Sequence, residues 1–243
     1  MALDPRRAGA SYGVVGGRVA ERAAVDEGLR SYMLRVYNYM ASGLLLTGIV
    51  AYLTASSPAM LNLIYGTPLM WVVFLAPLGL VFFLSARIHK MSATTAQALF
   101  WVYAALVGLS IASIFVVYTQ ESIFRAFFYA AAGFGALSLF GYTTKKDLSG
   151  VGSFCFMGLI GIIVASIVNI FIGSSMIQWV VSVIGVLVFA GLTAYDTQTI
   201  KEMYYEGDGA AVATKKSVMG ALRLYLDFLN MFLMLLYLFG NRE

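Results

Sequence analysis

"AGLTAYDTQTIK", residues 190–201, ends a run that carries no charge from Leu148 to Tyr195, and its seventh position is Asp196. "LYLDFLNMFLMLLYLF", residues 224–239, repeats the pattern with Asp227. A bilayer core of roughly 30 Å is crossed by a helix of about 20 apolar residues, so both runs are long enough to span one. The fold turns on whether they do. Hydrophobic residues make up 60% of the 243 and charged residues only 12%, whereas soluble domains average about 45–50% and about 25%. The chain is read as a polytopic membrane protein of the all-α class.

Counting outward from these two stretches gives seven spans, at 36–56, 69–87, 94–118, 123–144, 151–172, 177–200 and 218–239. Turn-forming segments separate them: "TASSPAMLNLIYGTP", "TTKKDLSG", "FIGSSMIQ" and "YYEGDGAAVATKKS". Pro77 is expected to kink the second span. Residues 1–30 are polar and glycine-containing and read as a flexible tail ahead of the membrane domain at 31–243. The tail lacks the apolar core and cleavage site of a secretory signal, so the first span is expected to persist in the mature protein. The single cysteine, Cys155, lies inside a span and reads as a packing residue.

The basic residues fall on one side. Arg6, Arg7, Arg18, Arg22, Arg30, Arg35, Arg87, Lys90, Lys145, Lys146, Lys201, Lys215, Lys216 and Arg223 share that side, leaving only Arg125 and Arg242 on the other. The positive-inside rule then puts the N-terminus in the cytoplasm and the C-terminus outside. The net charge of +4 is thereby accounted for by topology, and nucleic acid is not an expected partner.

A carboxylate inside a span costs a few kcal/mol on insertion scales and usually faces a bundle interior or a cavity. With Lys201 and Arg223 as edges, Asp196 lies roughly 7 Å deep and Asp227 roughly 6 Å, at about 1.5 Å per residue. Two acids at like depth on helices joined by a short loop can form one titrating unit, because two carboxylates in a low-dielectric site do not both ionise cheaply. The spacing is equally compatible with Asp196 marking a polar helix end and Asp227 pairing with Arg223 at i, i−4. Asn230, three residues past Asp227, shares its helical face. Asn169, Thr193, Tyr195 and Thr197 read as packing and hydrogen-bonding groups, and Arg87 as a side chain that snorkels or reaches the acids.

Enzyme chemistry has little to work with. His89 is the one histidine, so no HExxH, three-histidine zinc site or intramembrane Ser/His pair can be assembled. No glycine-rich phosphate loop is present either. No cofactor is expected.

With "GLTAYDTQTIK" and "LYLDFLNMF" in the last two spans, "KKDLS" at 145–149, "VNIF" at 168–171 and a basic group ending the second span, the sequence resembles the transmembrane Bax inhibitor motif family over about 36–239. The resemblance implies seven helices with the last at the centre, wrapped by the other six. It implies a pH-sensitive calcium leak, with Asp196 and Asp227 as a di-aspartyl pH sensor and Arg87 bonding that pair in one conformation. Some members carry an acid in the middle of the second span; here that stretch reads "FLAPLGLVFFL".

The combined reading is a bacterial inner-membrane protein that passes Ca²⁺ down its gradient under proton control. Asp196, Asp227 and Asn230 would serve as weak, transient oxygen ligands. Lipid, calcium ions and protons are its expected partners. Two rivals use the same residues: a proton-coupled secondary transporter, and a regulatory protein acting on membrane partners such as a protease or a cell-death protein.

The basic asymmetry makes a topological prediction. A reporter fused after Glu243 should be extracytoplasmic, and one inserted in the 202–214 loop cytoplasmic. Both reporters on one side would overturn the seven-span reading.

Overall fold

The computed structural model describes the backbone of residues 5–242 and the side chains of residues 26–242. Its helices are α1 (Pro5–Ala55), α2 (Pro58–Tyr65), α3 (Leu69–Arg87), α4 (Ala93–Ile111), α5 (Ile114–Val117), α6 (Gln120–Thr143), α7 (Ser149–Ile172), α8 (Ser175–Glu202) and α9 (Ala210–Phe239). Of the tail expected over 1–30, residues 1–4 lie outside the described backbone and residues 5–25 outside the described side chains.

Seven segments are long and apolar enough to cross a membrane: Asp26–Ala55, Leu69–Arg87, Ala93–Val117, Gln120–Thr143, Ser149–Ile172, Ser175–Glu202 and Ala210–Phe239. They match the seven expected spans one for one. The first and last run further at their basic ends than hydropathy indicated, because their outer turns are amphipathic and carry charge. The loop after α1 is itself partly helical: Pro58 opens α2, and the Ser57 side chain accepts from the Met60 N–H at 3.4 Å. Pro needs no N–H donor in a first turn, so this start costs little. Pro77 stays within a continuous α3.

The core is built around α9, the most buried of the seven spans. It packs directly against α1, α4, α6 and α8, while α3 packs on α4 and α7 on α8. Leu222, Leu224, Tyr225 and Leu236 of α9 are almost wholly buried, with Val36, Phe100 and Ile200 from its neighbours and Leu84 from α3. Outward-facing side chains are large and apolar, among them Phe82, Phe154, Ile170 and Phe171. That inversion is expected where the outer solvent is hydrocarbon.

Most polar groups inside the bundle are hydrogen-bonded, as a medium without water demands. Tyr225 shares a hydrogen bond of 2.7 Å with the hydroxyl of Thr47, which also donates to the Ala104 carbonyl at 2.8 Å, joining α9, α1 and α4. Gln198 accepts from the Leu148 N–H at 2.9 Å and donates to the Lys146 carbonyl at 2.8 Å, so its amide holds the "KKDLS" loop against α8. In that loop, hydrogen bonds from the Ser149 hydroxyl and backbone N–H hold the exposed Asp147 carboxyl below its usual pKa. At the opposite end of the bundle, Asn241 donates to Ser122 at 2.9 Å and Arg242 stacks over Tyr118 and Tyr237.

Close helix approach depends on one glycine in particular. A Cβ added at Gly141 of α6 would fall on the backbone carbonyl of Ala194 in α8, whereas one at Gly79 in α3 would meet nothing within 4 Å. Gly141→Ala should therefore cost roughly 1–3 kcal/mol by overpacking and lower the melting temperature in detergent. Gly79→Ala should leave it unchanged or raise it through helix propensity. Equal effects at both positions would contradict the α6–α8 contact.

Candidate functional site

Asp196 lies in the second-last turn of α8 and Asp227 near the middle of α9, and these two helices are packed neighbours. Their antiparallel course, set by the short connection at 203–209, brings the two carboxyl groups within electrostatic reach of each other. Asp227 is 4% exposed, and the Asp196 side chain keeps 16%.

The cation at this site is Arg223. Its Nη1 is 3.6 Å from Asp196 Oδ1, and its charge also acts on Asp227, one turn further along α9. The i, i−4 alternative therefore resolves into a bridge from α9 to α8, with the closer ion pair made across helices. Arg87, expected to bond the acids in one conformation, ends α3 exposed and makes no ion pair among the described residues. It stands near the start of α9, since the carbonyl of His89, two residues on, accepts from Lys215 Nζ at 3.4 Å.

Neighbouring hydroxyls are occupied elsewhere. Thr193 donates to the Phe189 carbonyl and Thr197 to the Thr193 carbonyl, each at 2.7 Å. Asn230 spends an N–H on the Leu226 carbonyl at 2.8 Å, one turn back on its own helix. The Tyr195 ring lies against Gly152 of α7. Oδ2 of Asp227 is buried and has no hydrogen-bond partner among the described residues.

That orphan oxygen has a chemical consequence. Two ionised carboxylates supply acceptors only, and a buried acceptor without a donor is costly. Protonation of an acid at this interface would supply such a donor. Charge points the same way: one guanidinium balances one carboxylate, and a second buried carboxylate is neutralised most cheaply by protonation.

Three contributors were not singled out from sequence. Gln198, two residues past Asp196, fixes the α8 end. Lys216 pairs with Asp208 and donates to the Met203 carbonyl at 2.9 Å, which closes the 203–209 loop beside the site. Tyr32 of α1, 4% exposed with its hydroxyl unpartnered, lies within the electrostatic reach of Arg223 and Asp208. Of these only Lys216 and Asp208 left a signal, as opposite charges in one loop. No cluster of three or more His, Cys, Asp or Glu suited to a metal occurs among the described residues.

The sequence from residue 29 to residue 243 matches the family described as inhibitor of apoptosis-promoting Bax1. The chain belongs to the Bax inhibitor family. It is 50% identical over 219 residues to the inner membrane protein YbhL of Escherichia coli (strain K12), covering 89% of this chain and 94% of that one. An uncharacterized protein of Rickettsia prowazekii (strain Madrid E) is 49% identical over 218 residues, 90% of this chain and 92% of its own. An uncharacterized membrane protein of Streptococcus pyogenes serotype M3 is 39% identical over 226 residues, 90% and 96% respectively. This Bax inhibitor family protein is a multi-pass integral membrane protein, similar to one of the bacterial inner membrane.

The contact between the acids can be tested by stability alone. Asp227→Asn places an amide donor where a proton would otherwise be needed, so it should hold or raise the melting temperature at neutral pH. Asp227→Ala removes the partner of Asp196 and should cost roughly 1–3 kcal/mol. Equal losses in the two variants would mean that the carboxyl groups do not bond each other.

Proposed function

We propose that this protein is a pH-sensitive calcium leak channel, in which Asp196 and Asp227 share a proton and sense pH. The observation that carries the reading is the buried, unpartnered Oδ2 of Asp227 facing a second acid across the α8–α9 interface. A proton shared there ties α8 to α9. Its loss leaves two carboxylates competing for Arg223, so protonation is coupled to the packing of the central helix. A two-state element biased by a titrating pair is what a pH gate requires.

Calcium prefers several oxygen ligands, and the deprotonated pair with water would supply a weak set. Asn230 would add its side-chain oxygen, which its N–H bond to Leu226 leaves available. Weak binding suits conduction, because an ion held tightly does not leave. Arg87 is the second cation of this reading. In the packing described here Arg223 serves the acids, and Arg87 would reach them in another arrangement of the α3 and α9 ends. The basic end of the bundle is taken as cytoplasmic on the positive-inside rule.

The test is Ca²⁺ flux in protein-only liposomes across an acid-to-alkaline pH series. Asp196→Asn and Asp227→Asn should each abolish or displace the pH dependence, and the double variant should cost much less than the sum of the singles, because the second change acts on a broken pair. In the same series Arg87→Ala should alter the flux, with Arg87→Lys rescuing it incompletely for want of a bidentate guanidinium. Additive shifts would refute the shared proton, and an unchanged profile in Arg87→Ala would reduce that residue to snorkelling. No calcium flux at any pH would remove the channel reading and favour action through protein partners.

A further inference from the structure

A groove of about 470 Å³ runs along the outside of the bundle between α1 and α6. α1 and α6 do not pack closely on each other there. They are joined by a hydrogen bond of 2.6 Å between the hydroxyls of Tyr37 and Ser138, and Ser138 continues at 3.0 Å to Thr197 of α8. Above this floor the walls are apolar, formed by Met33 and Leu34 of α1 with Phe134 and Leu139 of α6. Leu34 and Leu139 are more than half exposed. Water has no polar partners along such walls, and an apolar cavity of this kind stays dry. In a bilayer the chain that lies beside it is a lipid acyl chain.

The groove has a defined polar end. Arg30 and Tyr142 line it there. Lys201 stands over the Tyr142 ring at 5.6 Å and donates to the Tyr142 carbonyl at 2.8 Å. No carboxylate lies within 4.0 Å of Arg30 among the described residues. From Arg30 to Tyr37 is seven residues, or roughly 10 Å of helix at about 1.5 Å each, so the groove descends from the interface into one leaflet only. An unpaired guanidinium and an ammonium at the head of a leaflet-deep apolar slot match a phosphate above a hydrocarbon chain.

We infer that this groove binds one anionic glycerophospholipid, with an acyl chain between α1 and α6 and its phosphate on Arg30. Arg30, the charged residue of the lining, selects an anionic lipid over a zwitterionic one, the exposed Asp26 and Glu27 standing a turn further out on α1. Because the floor of the groove bonds to Thr197, beside Asp196, the lipid would also brace the α8 segment that carries the acid. The site stands apart from calcium conduction, and its test measures bound lipid alone.

Protein extracted in mild detergent is mixed with equal amounts of phosphatidylglycerol and phosphatidylcholine and examined by native mass spectrometry. The unaltered chain should retain one phosphatidylglycerol several-fold over phosphatidylcholine. Arg30→Ala should reduce that preference to near parity, and Arg30→Lys should keep part of it. Gly135→Leu should lower retention of both lipids: a Cβ at Gly135 meets nothing within 4 Å, so the larger side chain fills the groove without disturbing the fold. Leu139→Trp is a second filling variant, and an unchanged melting temperature verifies folding in each case. Equal retention of the two lipids by the unaltered chain, or retention unaffected by Arg30→Ala and by both filling variants, would overturn the assignment and leave ordinary annular lipid.

Discussion

An aspartate buried in the middle of the central helix constrains everything packed around it. α9 is enclosed by α1, α4, α6 and α8, Asp227 is buried within it, and its second oxygen finds no donor among the described residues. Such a group is retained only where it is neutralised, shared or paired. Here Asp196 shares the space and Arg223 supplies a single positive charge near its polar edge. On the proposed function, the α8–α9 interface is where protonation would be coupled to packing.

The rest of the bundle is stiffened by interhelical polar contacts. Tyr225 and Thr47 lock α9 to α1 and α4, Ser138 and Thr197 lock α6 to α8, and Gln198 fastens the loop that leads into α7. Apolar side chains alone give helices in hydrocarbon little reason to associate, so small residues and interhelical hydrogen bonds set the packing. Gly141 shows the first device and Tyr225 the second. Against that frame, on the proposed function, the bonding of the two acids would depend on a proton.

Membership of the Bax inhibitor family and the likeness to an inner membrane protein agree with this architecture. Pairing Arg223 with the acids gives the site a cation from its own helix. That leaves Arg87, exposed at the end of α3, as a group whose proposed part requires movement. The groove between α1 and α6 adds a lateral feature to a molecule otherwise described along its axis, and it lies one hydrogen-bonded step from the α8 turn carrying Asp196.

Seven spans, their order and the two intramembrane aspartates were legible in the sequence, because a stretch of about 20 apolar residues has one stable use in a bilayer and a charge within it stands out. The charged outer turns of α1 and α9 were not, since amphipathic helix continues past the point where hydropathy falls. Which residues meet was decided by tertiary structure. Asp196 and Asp227 are 31 positions apart along the chain, and their contact depends on how α8 and α9 are rotated about their axes. That rotation is set by close approaches such as Gly141 to Ala194 and by buried hydroxyls such as Tyr225. Spacing gave Arg223 to Asp227, its neighbour on the same helix; the packed helices bring it nearest to Asp196, because a long side chain at a helix surface bonds whatever the adjoining helix presents.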